Sequence, residues 1–484
     1  MARFRPHRMY PGALLAQECC SYQASTELLS QLRGDVVVLI HSDRDCSNVV
    51  SKRRARVHEG NRHKFLCTNL REDEMVTGQG NRRLREAIEL VHAELRPRLL
   101  LVLSTCPTVM IGDNVKNVAR KASRDLGLDV VPMLTHGLKP KSPAEVVDDL
   151  YQALTRSSRR TIADDAHWKR RVNLVGMALR PDERAEIESV FAAMGLEIGV
   201  VLDERAHLDD FLAVADAGWN AHPGPNLLIE FDKACAEAHG MAAIEAPLPY
   251  GRAATLSFYQ AVATATGVSS QTCAAAVADL DRQAAAAISS FDARQAGRPR
   301  RVAYNIGSVR SFDLRRIAHE ELGELAFFRE LGFDARLLIQ GNQAEDNWDR
   351  TAQVLGALGV SERFVLFPDP GALAHYLQPG AFDLWFGAGF LRDQLVQVQL
   401  PLMLHHRLGL GLGAVGSNVR LVEAAMGSDF FTGFEAAVHT PGGIEQLDAM
   451  LGAGKGVPLR SEPPAFAAVA VGELRLGRRL EEGA

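Results

Sequence analysis

Short β-branched or leucine-rich runs alternate along this chain with stretches whose apolar positions recur at helical spacing. In the first block, runs at Val36–Ile40, Leu99–Ser104 and Val130–Leu134 predict strands. Helices are predicted between them over Asn81–Glu94 and Asn114–Leu126, followed by the amphipathic stretch Ala144–Leu154 and the polar stretch Thr155–Arg170. The second block opens with the strand-like Val172–Ala178. It continues through a helix over Pro181–Met194, with proline in the favoured first turn, to a strand at Ile198–Leu202. It ends in an alanine-rich helix over Gln271–Arg294, stopped by Gly297, Arg298 and Pro299. The third block has strands at Val302–Ile306, Ala335–Ile339, Phe364–Phe367 and Phe382–Phe386, around helices near Leu314–Leu331 and Trp348–Leu358. Such alternation implies an α/β fold with mostly parallel sheets. It divides into three Rossmann-like domains over residues 1–165, 166–297 and 298–484.

A length of 484 residues suits three such domains, each large enough to bury a core. The net charge of −5, with Lys and Arg scattered apart from short runs such as Lys52–Arg53–Arg54, offers no broad basic surface, so nucleic acid is not an expected partner. Apolar runs fall far short of the ~20 residues that a membrane-spanning helix needs. The basic N-terminus leads into a short stretch broken at Pro11 and Gly12, without the features of a signal peptide. No membrane association and a cytoplasmic location are therefore expected.

Seven cysteines, an odd count in a long chain, argue against a secreted disulfide framework and leave metal ligation, catalysis or burial. Parallel sheets bind ligands at the carboxyl ends of their strands. Cys46 follows the Val36–Ile40 run and Cys106 follows Leu99–Ser104, so neighbouring parallel strands would bring both thiols to one rim. Cys20, before an amphipathic stretch leading into the first strand, can approach that rim from the side. Three thiolates there would make a soft anionic site suited to iron–sulfur or zinc. On spacing alone, burial as small hydrophobes is the better account, because there is no CxxC.

The segment from Cys20 to Asn114 resembles the N-terminal domain of the nitrogenase component 1 family. That family carries a first cysteine, a His-Gly-x-x-Gly-Cys turn, a Thr-Glu-Asp segment and a Cys-x-x-x-x-Ile-Gly-Asp-Asp motif. Here His41 to Cys46, Cys67 to Gly78, and Thr105-Cys106-Pro107 through Ile111-Gly112-Asp113-Asn114 occur in the same order. The resemblance implies that Cys20, Cys46 and Cys106 are one subunit's share of a P-cluster-like iron–sulfur centre, completed by an α-type partner. Cys19 is the rival to Cys20, whose spacing suits the family better, and Cys67 is expected to be structural. The turn before Cys46 departs from the pattern, with Ser42-Asp43-Arg44-Asp45 replacing the glycine-bounded version.

Downstream, Asn226 to Gly251 and Ala254 to Gly267 resemble the family's second domain, with Ala246 to Gly251 matching a Pro-x-Gly element. In α-type subunits a cysteine ahead of that helix anchors the active-site cofactor, whereas here Asn220 to Pro225 contains none. Cys235 lies too far along and reads as core. The α-type histidine of the third domain is also absent from Gly409 to Val419, and the preceding His405 and His406 are expected to pack. The resemblance thus implies a β-type subunit with no catalytic residue of its own. His41 and Asp113 would orient loops. No serine corresponding to the β-type cluster serine occurs from Pro132 to Lys141, and the N-terminal arm is short. Both features point to a relative outside nitrogen fixation.

The implied function is electron relay from an ATP-dependent homodimeric iron protein to a cofactor on the α partner, within an α2β2 heterotetramer. Among such relatives, the methylthio-alkane reductases, which cleave carbon–sulfur bonds, suit the pattern best. The alternatives are a scaffold subunit of nitrogenase cofactor assembly and a cluster-free α/β binding protein. Gly411-Leu412-Gly413-Ala414-Val415-Gly416 matches GxGxxG but comes late in the chain, and reads as a tight turn rather than a dinucleotide site. No GxxxxGK[ST] loop exists, so nucleotide hydrolysis is expected on another protein.

Overall fold

The computed structural model describes residues 20–46, 65–138, 141, 143–203, 206–224, 228–306, 322–340, 345–368, 370–387, 395, 398–405 and 407–427. Their strands form three sheets in which every neighbouring pair runs parallel. The first contains β1 (Val36–His41), β2 (Phe65–Cys67), β3 (Leu99–Ser104) and β4 (Asp129–Leu134), in the order β2-β1-β3-β4. The second contains β5 (Arg171–Val175), β6 (Glu197–Leu202), β7 (Trp219–Pro223) and β8 (Ala242–Ala246), in the order β6-β5-β7-β8. The third contains β9 (Arg301–Ile306), β10 (Asp334–Gln340), β11 (Arg363–Phe367), β12 (Leu384–Gly387) and β13 (Leu402–Leu404), in the order β11-β10-β9-β12-β13. The expected α/β class with parallel sheets is therefore observed.

The clearest of the strands the pattern found are buried on both faces, since a parallel sheet covered by helices reads as a continuous apolar run. β1 and β3 are buried at every position. The second block's opening strand ends at Val175 rather than Ala178, because Gly176 turns into the left-handed region at φ 72°. Part of the helix expected near Leu314–Leu331 lies outside the described residues, and the described portion is Leu325–Glu330. The unpredicted strands are short or polar. β7 carries Asn220 and His222, both fully buried, whose partners Asn173 and Asp232 lie 47 and 10 positions away.

The cores are shared between sheets. One joins β5, β7 and β8 to β9, β10 and β12 through Phe191, Phe258, Tyr259, Phe327 and Phe328. Another covers one face of the first sheet with Tyr22 and Leu29 of the helix Ser21–Gln31, and extends to Phe211 and Phe231 of the second block. Register then fixes the rim that matters. His41 lies beside Ser104, and Ser104 beside Leu134, so the carboxyl ends of β1, β3 and β4 are level.

Candidate metal centre

Loops from that rim carry Cys46 and Cys106, and the helix Ser21–Gln31 brings Cys20 as its N-cap residue. Cys106 opens the short helix Cys106–Met110, where Thr105 and Thr108 form a capping box that fixes the turn. The Thr105 hydroxyl also donates to the His41 carbonyl at 3.0 Å, tying the Cys106 loop to the end of β1. His41 is fully buried, with Nε2 3.0 Å from Asp113 Oδ2 and Nδ1 3.2 Å from the Thr68 hydroxyl. It joins three of the four sequence motifs and touches no thiol among these contacts, in keeping with an orienting role.

The turn that lacks glycines is closed by a side chain instead. Asp43 Oδ1 accepts from the backbone N–H groups of Asp45 at 3.1 Å and Cys46 at 3.3 Å, and from the Ser42 hydroxyl at 3.2 Å. An aspartate that satisfies exposed N–H groups two and three residues on does the work of a tight glycine turn. The Cys46 carbonyl accepts from the Tyr22 hydroxyl at 3.0 Å, which ties this loop to the helix behind Cys20.

Gly137, in the loop after β4, reports how the other two thiols lie. A Cβ at Gly137 would stand 3.5 Å from Cys20 Sγ and 3.7 Å from Cys106 Sγ, and the Gly137 N–H donates to Cys106 Sγ at 3.1 Å. Both sulfurs thus lie against one bare stretch of backbone. Burial pushes the Cys46 thiol up; the Ser42 hydrogen bond opposes this, while the charges of Asp43, Cys106 and Cys20 push it further up. Three thiols near enough to repel one another as thiolates form a site that gains from a cationic metal group.

The donor set fits such a group. All three thiols are free of disulfides and half-buried, and the loops holding them are braced by hydroxyls rather than by other acids, Asp43 excepted. A single tetrahedral ion, with metal–sulfur bonds of ~2.3 Å, would need its sulfurs within ~4 Å of one another. Among the described residues no three His, Cys, Asp or Glu side chains close to that degree. A polynuclear iron–sulfur group, whose thiolates sit on separate iron atoms, would not need its ligands that close.

The remaining cysteines behave differently. Cys67 lies beneath the Cys46 turn, its thiol 3.5 Å from the Ser42 and Asp43 carbonyls, and the Asn69 N–H donates to its sulfur at 3.3 Å. Cys235 is buried, and burial pushes its thiol up to about 12. Cys273 is likewise buried in a helix-packing core. Cys19 and His406 lie outside the described residues. His405 packs edge-on against Tyr304 and Phe386 and contacts the Asn305 carbonyl and Glu324.

The glycine-rich segment is occupied by the protein itself. The Leu410 N–H donates to Glu183 at 2.8 Å, while those of Leu412 and Gly413 donate to the two oxygens of Glu186 at 2.8 and 2.7 Å. A nest of N–H groups that could hold phosphate is filled by carboxylates from the helix Pro181–Ala193. Gly411, at φ 93°, could not carry a Cβ, which would fall 2.6 Å from Glu186. Residue spacing alone missed the contributions of Ser21, Tyr22, Asp43 and Gly137. Asp43 was legible in principle, as an Asx residue ahead of a short turn.

The parallel α/β frame has counterparts among known proteins. Residues 20–408 match the family described as nitrogenase component 1 type oxidoreductase, a match that begins at Cys20. The chain belongs to that family. It is 28% identical over 138 residues to the nitrogenase molybdenum-iron protein alpha chain of Methanosarcina barkeri, covering 27% of this chain and 26% of that one. It is 33% identical over 121 residues to the nitrogenase iron-molybdenum cofactor biosynthesis protein NifE of Mesorhizobium japonicum, covering 25% of this chain and 24% of that one. These alignments thus span about a quarter of the length of each relative. A solved structure titled "Nitrogenase Cp1 at pH 6.5" superposes with a TM-score of 0.62 at 15% identity, covering 88% of this chain and 94% of that one, which supports the fold. No helix among the described residues is long and apolar enough to cross a membrane.

Proposed function

We propose that this chain is a β-type subunit of a nitrogenase-like reductase, holding its share of a P-cluster-like iron–sulfur centre through Cys20, Cys46 and Cys106. The observation that carries this reading is the gathering of those three thiols at one sheet rim, with Cys20 and Cys106 against Gly137 and Cys46 near enough to feel the charge of both. Thiolate-ligated clusters exchange single electrons at potentials set by burial and by hydrogen bonds to sulfur. The chain's own part is to hold the thiols. Thr105 and Thr108 fix the Cys106 turn, Asp43 fixes the Cys46 turn, and Gly137 leaves space beside two sulfurs while giving one of them a hydrogen bond.

On this reading an ATP-dependent homodimeric iron protein supplies the electrons, and the active-site cofactor lies on an α-type partner in an α2β2 assembly. The β-type assignment rests on the absence of a cysteine from Asn220 to Pro225 and of a histidine from Gly409 to Val419. Carbon–sulfur bond cleavage, as in the methylthio-alkane reductases, is the proposed reaction of the whole complex. The similarity to NifE favours a second reading, a scaffold subunit in cofactor assembly.

Anaerobic co-purification with the α-type partner, followed by iron and acid-labile sulfide analysis, tests the core of the proposal. Wild type is expected to carry both, and Cys46→Ala and Cys106→Ala to lose them while remaining folded. A folded wild-type complex without iron would overturn it. Carbon–sulfur reductase activity in the loaded complex would separate the catalytic reading from the scaffold one.

A further inference from the structure

The residue after Cys20 has no place in the motifs, yet it is buried and hydrogen-bonded across the rim. Ser21 is 3% exposed. Its hydroxyl accepts from the His136 N–H at 2.9 Å and donates to the His136 carbonyl at 3.0 Å. One hydroxyl thus satisfies both backbone groups of a loop residue 115 positions away. The next residue in that loop is Gly137, whose N–H points at Cys106 Sγ and whose bare Cα lies beside Cys20 Sγ.

We infer that Ser21 is a positioning residue for the thiol site: by gripping His136 it holds the Gly137 amide on Cys106 Sγ and keeps the bare Gly137 backbone against both Cys20 and Cys106. Only the redox consequence of this role depends on the proposed cluster. A buried N–H and C=O left without their hydroxyl must find other partners or move. The loop that would move is the one carrying the donor to sulfur. An electron added to a thiolate-ligated cluster places negative charge on its sulfurs, so an N–H donor favours the reduced form and raises the midpoint potential. Loss of the grip therefore shifts that potential to more negative values.

The isosteric pair Ser21→Thr and Ser21→Val isolates the hydroxyl, with Ser21→Ala as the smaller variant should the added methyl group disturb folding. In the iron-free chain under reducing conditions, alkylation by iodoacetamide is followed thiol by thiol by mass spectrometry. Cys20 and Cys106 are expected to react several-fold faster in Ser21→Val and Ser21→Ala than in wild type, with Ser21→Thr close to wild type and Cys67 unchanged in all. In the loaded complex, redox titration followed by electron paramagnetic resonance is expected to show a negative shift in the same two variants and its rescue by threonine. Uniform acceleration at Cys67 as well, or no change at Cys20 and Cys106, would overturn the inference. An iron-free wild-type complex would overturn the proposed function, while the alkylation pattern would still decide the role of Ser21.

Discussion

Two loops of this protein offer the same raw materials, strand ends, glycines and outward backbone N–H groups, and they end in opposite states. At the first sheet's rim, hydroxyls and one aspartate brace the backbone while three thiols stay free of disulfides. At Gly409–Gly413 the N–H groups are consumed by Glu183 and Glu186, and the segment becomes a cross-link to the helix Pro181–Ala193. A motif is a site only where its donors are unspent. The carboxyl end of β7 repeats the closed state, with fully buried His222 held between the Pro223 carbonyl at 2.9 Å and Asp232 at 2.7 Å.

The largest effect that sharpens this contrast is the loss of iron expected in Cys46→Ala and Cys106→Ala, with little change in urea midpoint. Glu186→Ala should do the reverse, because it strands the part-buried Leu412 N–H and Tyr259 hydroxyl at a packed junction. We expect a loss of about 1–3 kcal/mol in urea unfolding with the iron content of the complex intact. If Glu186→Ala instead depleted iron, the two loops would not be independent.

A smaller, pH-dependent effect belongs to His222. Burial by itself lowers its pKa, but Asp232, the Pro223 carbonyl and the charge of Glu245 outweigh this, and the net direction is upward. A pKa raised on folding adds stability that is fully present below the unfolded value of about 6.5 and is lost as pH rises through the folded value. The unfolding free energy measured in urea should therefore fall as pH is raised from about 6.5 into the mildly alkaline range. Asp232→Asn should remove that fall, and an unaltered slope in this variant would refute the assignment. The smallest effect is expected from Cys19→Ala, with iron content unchanged. Loss of iron there would exchange the roles of Cys19 and Cys20.

Much of the fold was legible because fully buried parallel strands have to be apolar at every position, as β1 and β3 nearly are. β7 was not, since Asn220 and His222 are tolerable in a core only once Asn173 and Asp232 arrive beside them. The order of Cys20, Cys46 and Cys106 relative to the predicted strands likewise indicated one rim. It did not indicate that a glycine and a serine outside the family motifs would set two of those thiols.

The sequence by itself determined the strand–helix alternation, the placement of cysteines just past strand ends and the family they belong to, because these follow from local periodicity and order along the chain. Tertiary structure alone decided which donors are spent. Whether the Gly411 turn meets a carboxylate, and whether the Ser21 hydroxyl meets His136, depends on residues far apart in sequence that only packing brings within hydrogen-bond distance.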